Sequence, residues 1–298
     1  MSAKAYVYLA LATLFWGGNA VAGKLAVGHI SPMLLTFSRW FMAVIVLTLM
    51  SRETLRRDWP KIRPKLPLLL GLGAIGFSLF NGFLYSALHY TSTVNAVIEQ
   101  GGVPVFIFIL NYILFRIAVT PVQIAGFLVS FLGVALTAGH GDLAALFSLK
   151  VNSGDALMLL AVACYGIYTL ALRFKPDIHW QSLMTILSLG ATLAAIPLTL
   201  WEASTASLVW PDARGYALIA YCGLLPSLVS QTFYIKGVSV IGANRAGLFI
   251  NLVPVFGTLL SVLIIGEKLQ GFHLIALALV LGGIALAEQG KPKQASAS

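Results

Sequence analysis

Apolar residues follow one another along this chain in long unbroken stretches, without the alternation of half-buried strands or the stripes of soluble helices. A membrane-crossing helix needs about 20 consecutive apolar residues. Ten stretches fit: near 5–27, 32–50, 66–88, 93–115, 121–139, 154–174, 181–201, 214–236, 243–265 and 270–288. The breaks between them are short and polar, among them Gly28–Ser31, Ser51–Lys65, His140–Ser153, Lys175–Trp180 and Glu202–Ala213. The pattern predicts an all-α integral membrane protein of ten transmembrane helices, followed by a polar, disordered tail at 291–298.

The stretches form two sets of five. Val103-Pro104-Val105-Phe106 recurs as Val253-Pro254-Val255-Phe256, and Ala96 and Ala246 each stand seven residues earlier. At the same shift of 150, Asn81 aligns with Gln231 and Gly133 with Gly283; at 149, Trp16-Gly17 aligns with Tyr165-Gly166 and Lys24 with Arg173. These matches define a first repeat over 1–149 and a second over 150–290. Five helices per repeat is an odd number, so the second repeat starts from the opposite face of the membrane. Transporters use such inverted repeats to alternate access to a central site.

Composition supports the bilayer as solvent. Hydrophobic residues make up 59% of the chain and charged residues 10%, against about 25% charged in soluble domains. The net charge of +9 raises the question of nucleic acid, but six cations (Arg52, Arg56, Arg57, Lys61, Arg63, Lys65) crowd one break, with no basic stripe interleaved with aromatics. With the N-terminus inside, the inner side receives 14 Lys/Arg, the outer side four (Lys24, Lys150, Arg214, Lys268), and Arg39 lies within a stretch. This bias places both termini in the cytosol. The two cysteines, Cys164 and Cys222, lie in apolar stretches, so neither a disulfide framework nor a metal site is expected. Gly71-Leu72-Gly73-Ala74-Ile75-Gly76 matches a dinucleotide fingerprint but sits inside an apolar stretch, with no acidic residue about 20 positions later. Close helix packing explains it better. No cofactor and no direct use of ATP are expected.

Short motifs carry a resemblance. Phe15-Trp16-Gly17-Gly18-Asn19, Ala87-Leu88 with Tyr90-Thr91, Pro104, Pro254 and Gly266-Glu267-Lys268-Leu269 are similar to those of the EamA-type drug/metabolite transporters. These are ten-helix carriers of two five-helix repeats. The first repeat departs from the pattern, with Arg116-Ile117 where Gly-Glu would fall, though Thr120-Pro121 and Gly126 match the family's next positions. Within the superfamily the chain looks most like the YddG-type amino-acid exporters. The resemblance implies a bacterial inner-membrane carrier acting as a monomer on small molecules, with a site lined by helices 1, 3, 4, 6, 8 and 9.

Polar and aromatic residues at mid-depth are the candidate lining. Trp16 and Tyr165 stand at the middle of their stretches, away from the interfacial belts that Trp and Tyr favour, and Asn19 and Tyr168 follow on the same faces. Ser78, Asn81 and Tyr85 share a face of the third stretch; Gln231 and Tyr234, with Ser227 below, share one of the eighth. Cavity lining and interhelical bonding both account for such amides. Glu99 is the sole acidic residue well inside a stretch. It could carry a coupling proton, contact an amino group or pair with Arg39, which lies at the same depth of roughly 10 Å. Gly101, Gly102, Pro104 and Pro254 should bend or unwind their helices, and duplicated kinks are candidate gating hinges.

The expected function is a secondary transporter exporting amino acids, broadly and including neutral and aromatic ones, by alternating access. A multidrug or other small-metabolite carrier of the same superfamily is the alternative. A lining with no Lys/Arg cluster disfavours phosphorylated substrates. An intramembrane protease needs two deeply embedded Asp residues or a Ser–His pair, and neither pattern occurs. A membrane receptor would not need a duplicated polar interior.

Overall fold

The computed structural model describes residues 2–116, 120–138, 140–142, 152–205, 208–241, 246 and 249–289. The polar tail, Ile117, Lys150, Arg245 and the start of the ninth predicted stretch lie outside the described residues. Among those described, all regular structure is helical. Eight helices are long and apolar enough to cross a membrane: α1 (Ala3–Ala26), α2 (Pro32–Met50), α3 (Arg52–Ala87), α4 (Thr93–Phe115), α5 (Pro121–Ala138), α6 (Ser153–Phe174), α7 (Trp180–Ser204) and α8 (Ala213–Ile241). Two shorter apolar helices follow among the described residues, α9 (Leu252–Ile265) and α10 (Gly271–Ala287). Each falls on one of the predicted stretches.

One break is not a break. The basic segment expected to connect the second and third stretches is helical from Arg52 to Ile62 and continues through a 3₁₀ turn at Arg63–Lys65 into the apolar part of α3. Arg, Lys and Glu are good helix formers, and hydropathy reports spanning rather than helicity. Asp58 and Ile62 turn inward while all six cations stay exposed. Asp58 accepts the His179 backbone N–H at 2.8 Å, tying this amphipathic extension to the start of α7.

Irregularities recur at matched positions. Wide π-type turns occupy Ala74–Leu79 in α3 and Leu225–Val229 in α8. The helix of α4 is interrupted at Gly101–Gly102, where each N–H reaches back three residues (Gly101 to Ile98, Gly102 to Glu99). Pro104 then lies in the first turn of Val103–Phe115, where its missing N–H leaves no bond unmade. A non-helical Asn251 likewise precedes Leu252–Leu260, with Pro254 in its first turn.

The helices pack in an exchangeable set. α1 lies against α8 and α9; α6 lies against α3 and α4; α2 meets α8 and α7 meets α3. The pairs α2–α7, α4–α9 and α5–α10 join like-numbered helices of the two halves. Swapping halves exchanges the first six of these contacts in pairs and returns each of the last three to itself. Small residues permit the closest approaches: a Cβ on Gly126 would lie 2.4 Å from the Ala287 nitrogen, and one on Gly283 2.4 Å from the Gly126 oxygen. Without a hydrophobic force between helices in lipid, such backbone proximity supplies the dispersion that holds them. The same holds at Gly73 of the fingerprint-like run, where a Cβ would meet the Leu187 carbonyl at 1.9 Å.

Candidate functional site

Four helices converge on Arg39. Its Nη1 donates to Asn19 Oδ1 at 2.7 Å and Asn81 Oδ1 at 2.8 Å, and also reaches the Tyr85 hydroxyl. Nη2 donates to Ser227 Oγ at 2.7 Å. The side chains therefore come from α1, α2, α3 and α8. The partners are themselves oriented: Tyr85 donates to Asn19 Oδ1 (2.8 Å), Asn81 Nδ2 to the Phe77 carbonyl (2.7 Å), and Ser227 to the Cys222 carbonyl (2.9 Å). That last carbonyl stands five residues back, beside the π-type turn of α8, which aims the hydroxyl. The guanidinium also lies 4.9 Å from the Trp40 ring centroid, a cation–π distance. Among the described residues no carboxylate lies within 4.0 Å of Arg39. Its donors are met by neutral dipoles, and its charge is not cancelled.

Aromatic rings lie around this knot. Trp16 donates its indole N–H to the Pro226 carbonyl at 3.0 Å, and its ring tilts against Tyr234 with centroids 5.4 Å apart. Tyr165 packs on Phe80 (5.0 Å) and on Tyr168 (5.4 Å), Tyr168 on Phe77 (5.4 Å), and Phe77 stacks on Trp40 (4.4 Å). Trp16, Tyr165, Gln231 and Tyr234 remain partly accessible, while Tyr168 is buried. Of the sequence candidates, Asn19, Asn81 and Tyr85 meet directly at Arg39, and the Trp16–Tyr234 and Tyr165–Tyr168 pairs lie in ring contact. Ser78 is buried with its hydroxyl unpartnered among the described residues.

Glu99 stands apart from this group. It is fully buried at 0% exposure on α4, and neither carboxylate oxygen has a hydrogen-bond partner among the described residues. The Arg39 pairing weighed from equal depth does not form. Arg39 points among α1, α3 and α8, whereas Glu99 lines a cleft of about 240 Å³ with residues of α4, α5 and α6.

The end of the bundle expected to face outward is held by side chains on helix ends. Glu267, from the Gly-Glu-Lys-Leu motif, accepts the Thr93 and Val94 N–H groups at 2.8 and 3.0 Å at the start of α4. Glu202 does the same for Met33 and Leu34 at the start of α2, at 3.3 Å each. A carboxylate is favoured at a helix N-terminus by its unpaired donors and dipole. Lys24 donates to the Leu88 and Thr91 carbonyls at 2.7 and 2.8 Å, at the opposite pole of α3. Burial, and then Lys24, hold the nearby His89 below the usual imidazole range. His29 meets Asp212 at 2.7 Å, and this bond, together with the Gly215 N–H, holds the Asp212 carboxyl below the usual range.

A directional chain crosses the same end. The Gln270 N–H donates to His273 Nδ1 at 3.0 Å, so the neutral ring carries its proton on Nε2 and donates to Asn95 Oδ1 at 2.9 Å. Asn95 Nδ2 lies 3.4 Å from His140 Nδ1, which leaves His140 Nε2 to face Asp155 Oδ2 at 3.0 Å. Thr91 donates to the other Asp155 oxygen. The chain borders a cavity of about 430 Å³ at this end of the bundle. None of its members was a sequence candidate, because each lies at a helix end or in a break; three of the chain's five histidines (His89, His140, His273) lining one cavity is a feature of the folded molecule alone.

Comparison with known proteins agrees with this architecture. The model of the EamA-like transporter family matches twice, over residues 3–139 and 152–288. The uncharacterized transporter YetK of Bacillus subtilis strain 168 is 30% identical over 282 residues, covering 94% of this chain and 85% of that protein. YyaM of the same organism, also an uncharacterized transporter, is 27% identical over 282 residues (94% and 92%). An S-adenosylmethionine/S-adenosylhomocysteine transporter of Chlamydia trachomatis serovar L2 is 27% identical over 290 residues (93% and 86%). A crystal structure at 21% identity has the same fold, with a TM-score of 0.63 over 96% of this chain and 98% of that one. With the family's unit present twice and nearly filling its length, the chain belongs to the EamA-like transporter family.

Proposed function

We propose that the protein is a secondary transporter that exports amino acids, broadly and including neutral and aromatic ones, by alternating access between two inverted five-helix repeats. The observation that carries this reading is Arg39: a buried cation whose donors rest on neutral, exchangeable acceptors, among aromatic rings from both halves. A substrate carboxylate can displace the amide oxygens and cancel the charge, forming the stronger charge-assisted bond. An apolar or aromatic side chain can stack on Trp16, Tyr165 or Tyr234. The exchangeable packing of the two halves and the double family match support the repeat. The interruptions before Pro104 and Pro254 are the proposed hinges, with Gly101 and Gly102 supplying the freedom in α4.

The 14-to-4 distribution of Lys/Arg supports cytosolic termini in a bacterial inner membrane. A reporter fused after Ser298 should be active on the cytosolic side only; activity outside would make the number of crossings odd. A second reading has one observation in its favour, the chlamydial relative. S-adenosylmethionine and S-adenosylhomocysteine each join an amino-acid end to an aromatic base, which the same Arg39-plus-aromatic arrangement suits.

The test is flux in proteoliposomes. Trp16→Ala and Tyr165→Ala should each reduce amino-acid transport about tenfold, the equivalent of about 1.4 kcal/mol, with the folded fraction in detergent unchanged. Normal flux in both folded variants would remove the aromatics from the site.

A further inference from the structure

The cleft at Glu99 is a different environment from the Arg39 knot. Its inner surface is formed by Glu99, Gly102, Val105 and Phe106 of α4, Val134 of α5 and Val162 of α6. Its mouth is formed by Ile109, Phe131 and Leu159, one from each of the same helices. These three are 43%, 56% and 40% exposed. On helices apolar enough to span a membrane, exposed Ile, Phe and Leu face acyl chains, so the mouth opens sideways into the bilayer.

Glu99 gives the cleft its chemistry. Both oxygens are buried without a hydrogen-bond donor, and no cation lies within 4.0 Å among the described residues. Asp155, in the first turn of α6, accepts from Thr91 and faces His140. A bare carboxylate in an apolar setting costs several kcal/mol unless a proton or a cation neutralises it. The rest of the lining is apolar and offers little to hold a water there. A cavity of about 240 Å³ lies below the roughly 300–1,000 Å³ of sites for drug-sized ligands.

We infer that this cleft is a binding site for a small amphipathic ammonium ion that reaches Glu99 from the bilayer. The ammonium supplies both a countercharge and N–H donors for the two oxygens. The apolar body fills the space between Phe106, Val134 and Val162 and leaves through the Phe131–Leu159 mouth. The ammonium takes the place of the proton that otherwise neutralises Glu99, and that proton is released to water; an anion is repelled by the ionised carboxylate, and a neutral ligand supplies no countercharge to replace the proton. The assignment is independent of the amino-acid reading, which rests on Arg39 and the rings of α1, α6 and α8.

Full-length protein in phosphatidylcholine nanodiscs, titrated with phenethylammonium, tests it. Wild type should show saturable binding, at least tenfold weaker in Glu99→Gln and in Phe131→Trp, which fills the mouth while leaving the carboxylate. The neutral 2-phenylethanol should bind wild type and Glu99→Gln alike. Should Glu99→Gln fail to fold, Phe131→Trp decides alone. Equal phenethylammonium affinity in wild type and the folded variants, or no saturable binding to wild type, would overturn the site. Amino-acid flux in wild-type proteoliposomes is measured separately, so a failed amine site and a failed exporter give different results.

Discussion

Arg39 and Glu99 were expected at the same depth, and both are buried, at 3% and 0% exposure. Their surroundings are opposite. Arg39 is enclosed by acceptors on three other helices, and each acceptor is positioned by a further bond. Glu99 meets no donor among the described residues. Neither has a charged partner within 4.0 Å among the described residues, but for Arg39 the loss of water is offset by hydrogen bonds and for Glu99 it is not. The difference teaches that one buried ionisable group can be solvated by the protein's own dipoles while another at similar burial is left without a partner, and that depth alone does not distinguish them.

Stability measurements can break this contrast. The largest effect should come from Arg39→Leu, which strands Asn19, Asn81, Tyr85 and Ser227 in a dry interior. A loss of about 3 kcal/mol or more is expected, read as a lower melting temperature in detergent. Glu99→Gln, which removes a bare charge, should melt at or above the wild-type temperature. Equal destabilisation by the two would erase the distinction. Tyr85→Phe removes one member of the knot and should cost about 1 kcal/mol; a neutral result would show that Asn19 and Arg39 reorganise without it.

The coupling between the two residues should be smaller still. With no contact between them, Arg39→Leu and Glu99→Gln should add to within about 0.5 kcal/mol in the double variant. Restored stability in the double variant would reveal a pair that forms in another state of the transporter. The smallest effect belongs to the exposed Asp212–His29 contact. Asp212 titrates below its unfolded value, so its contribution is present above the unfolded carboxylate range and is lost as pH falls through the folded value. Asp212→Asn should flatten the dependence of melting temperature on pH only in that acidic window. An unchanged acid profile would show that the contact does not contribute.

Much of the architecture was legible because lipid imposes one simple demand, an apolar stretch long enough to cross. The duplication was legible because Val-Pro-Val-Phe and its neighbours recur at a fixed shift. Helicity of the basic segment Arg52–Ile62 was not, since hydropathy hides any helix that does not span. The role of Arg39 was not legible either: its partners lie 20, 42 and 188 residues away on three helices. Glu267 was visible as part of a motif, but its purpose depends on N–H groups 174 and 173 residues earlier. Glu99 was visible as an oddity, while its lack of partners is a property of packing.

Substrate flux tests the central claim most directly. Purified protein in proteoliposomes should carry several labelled neutral amino acids, phenylalanine and tryptophan among them, saturably and in mutual competition, with S-adenosylmethionine included in the panel. Transport of a phosphorylated sugar with no amino-acid flux would contradict the account.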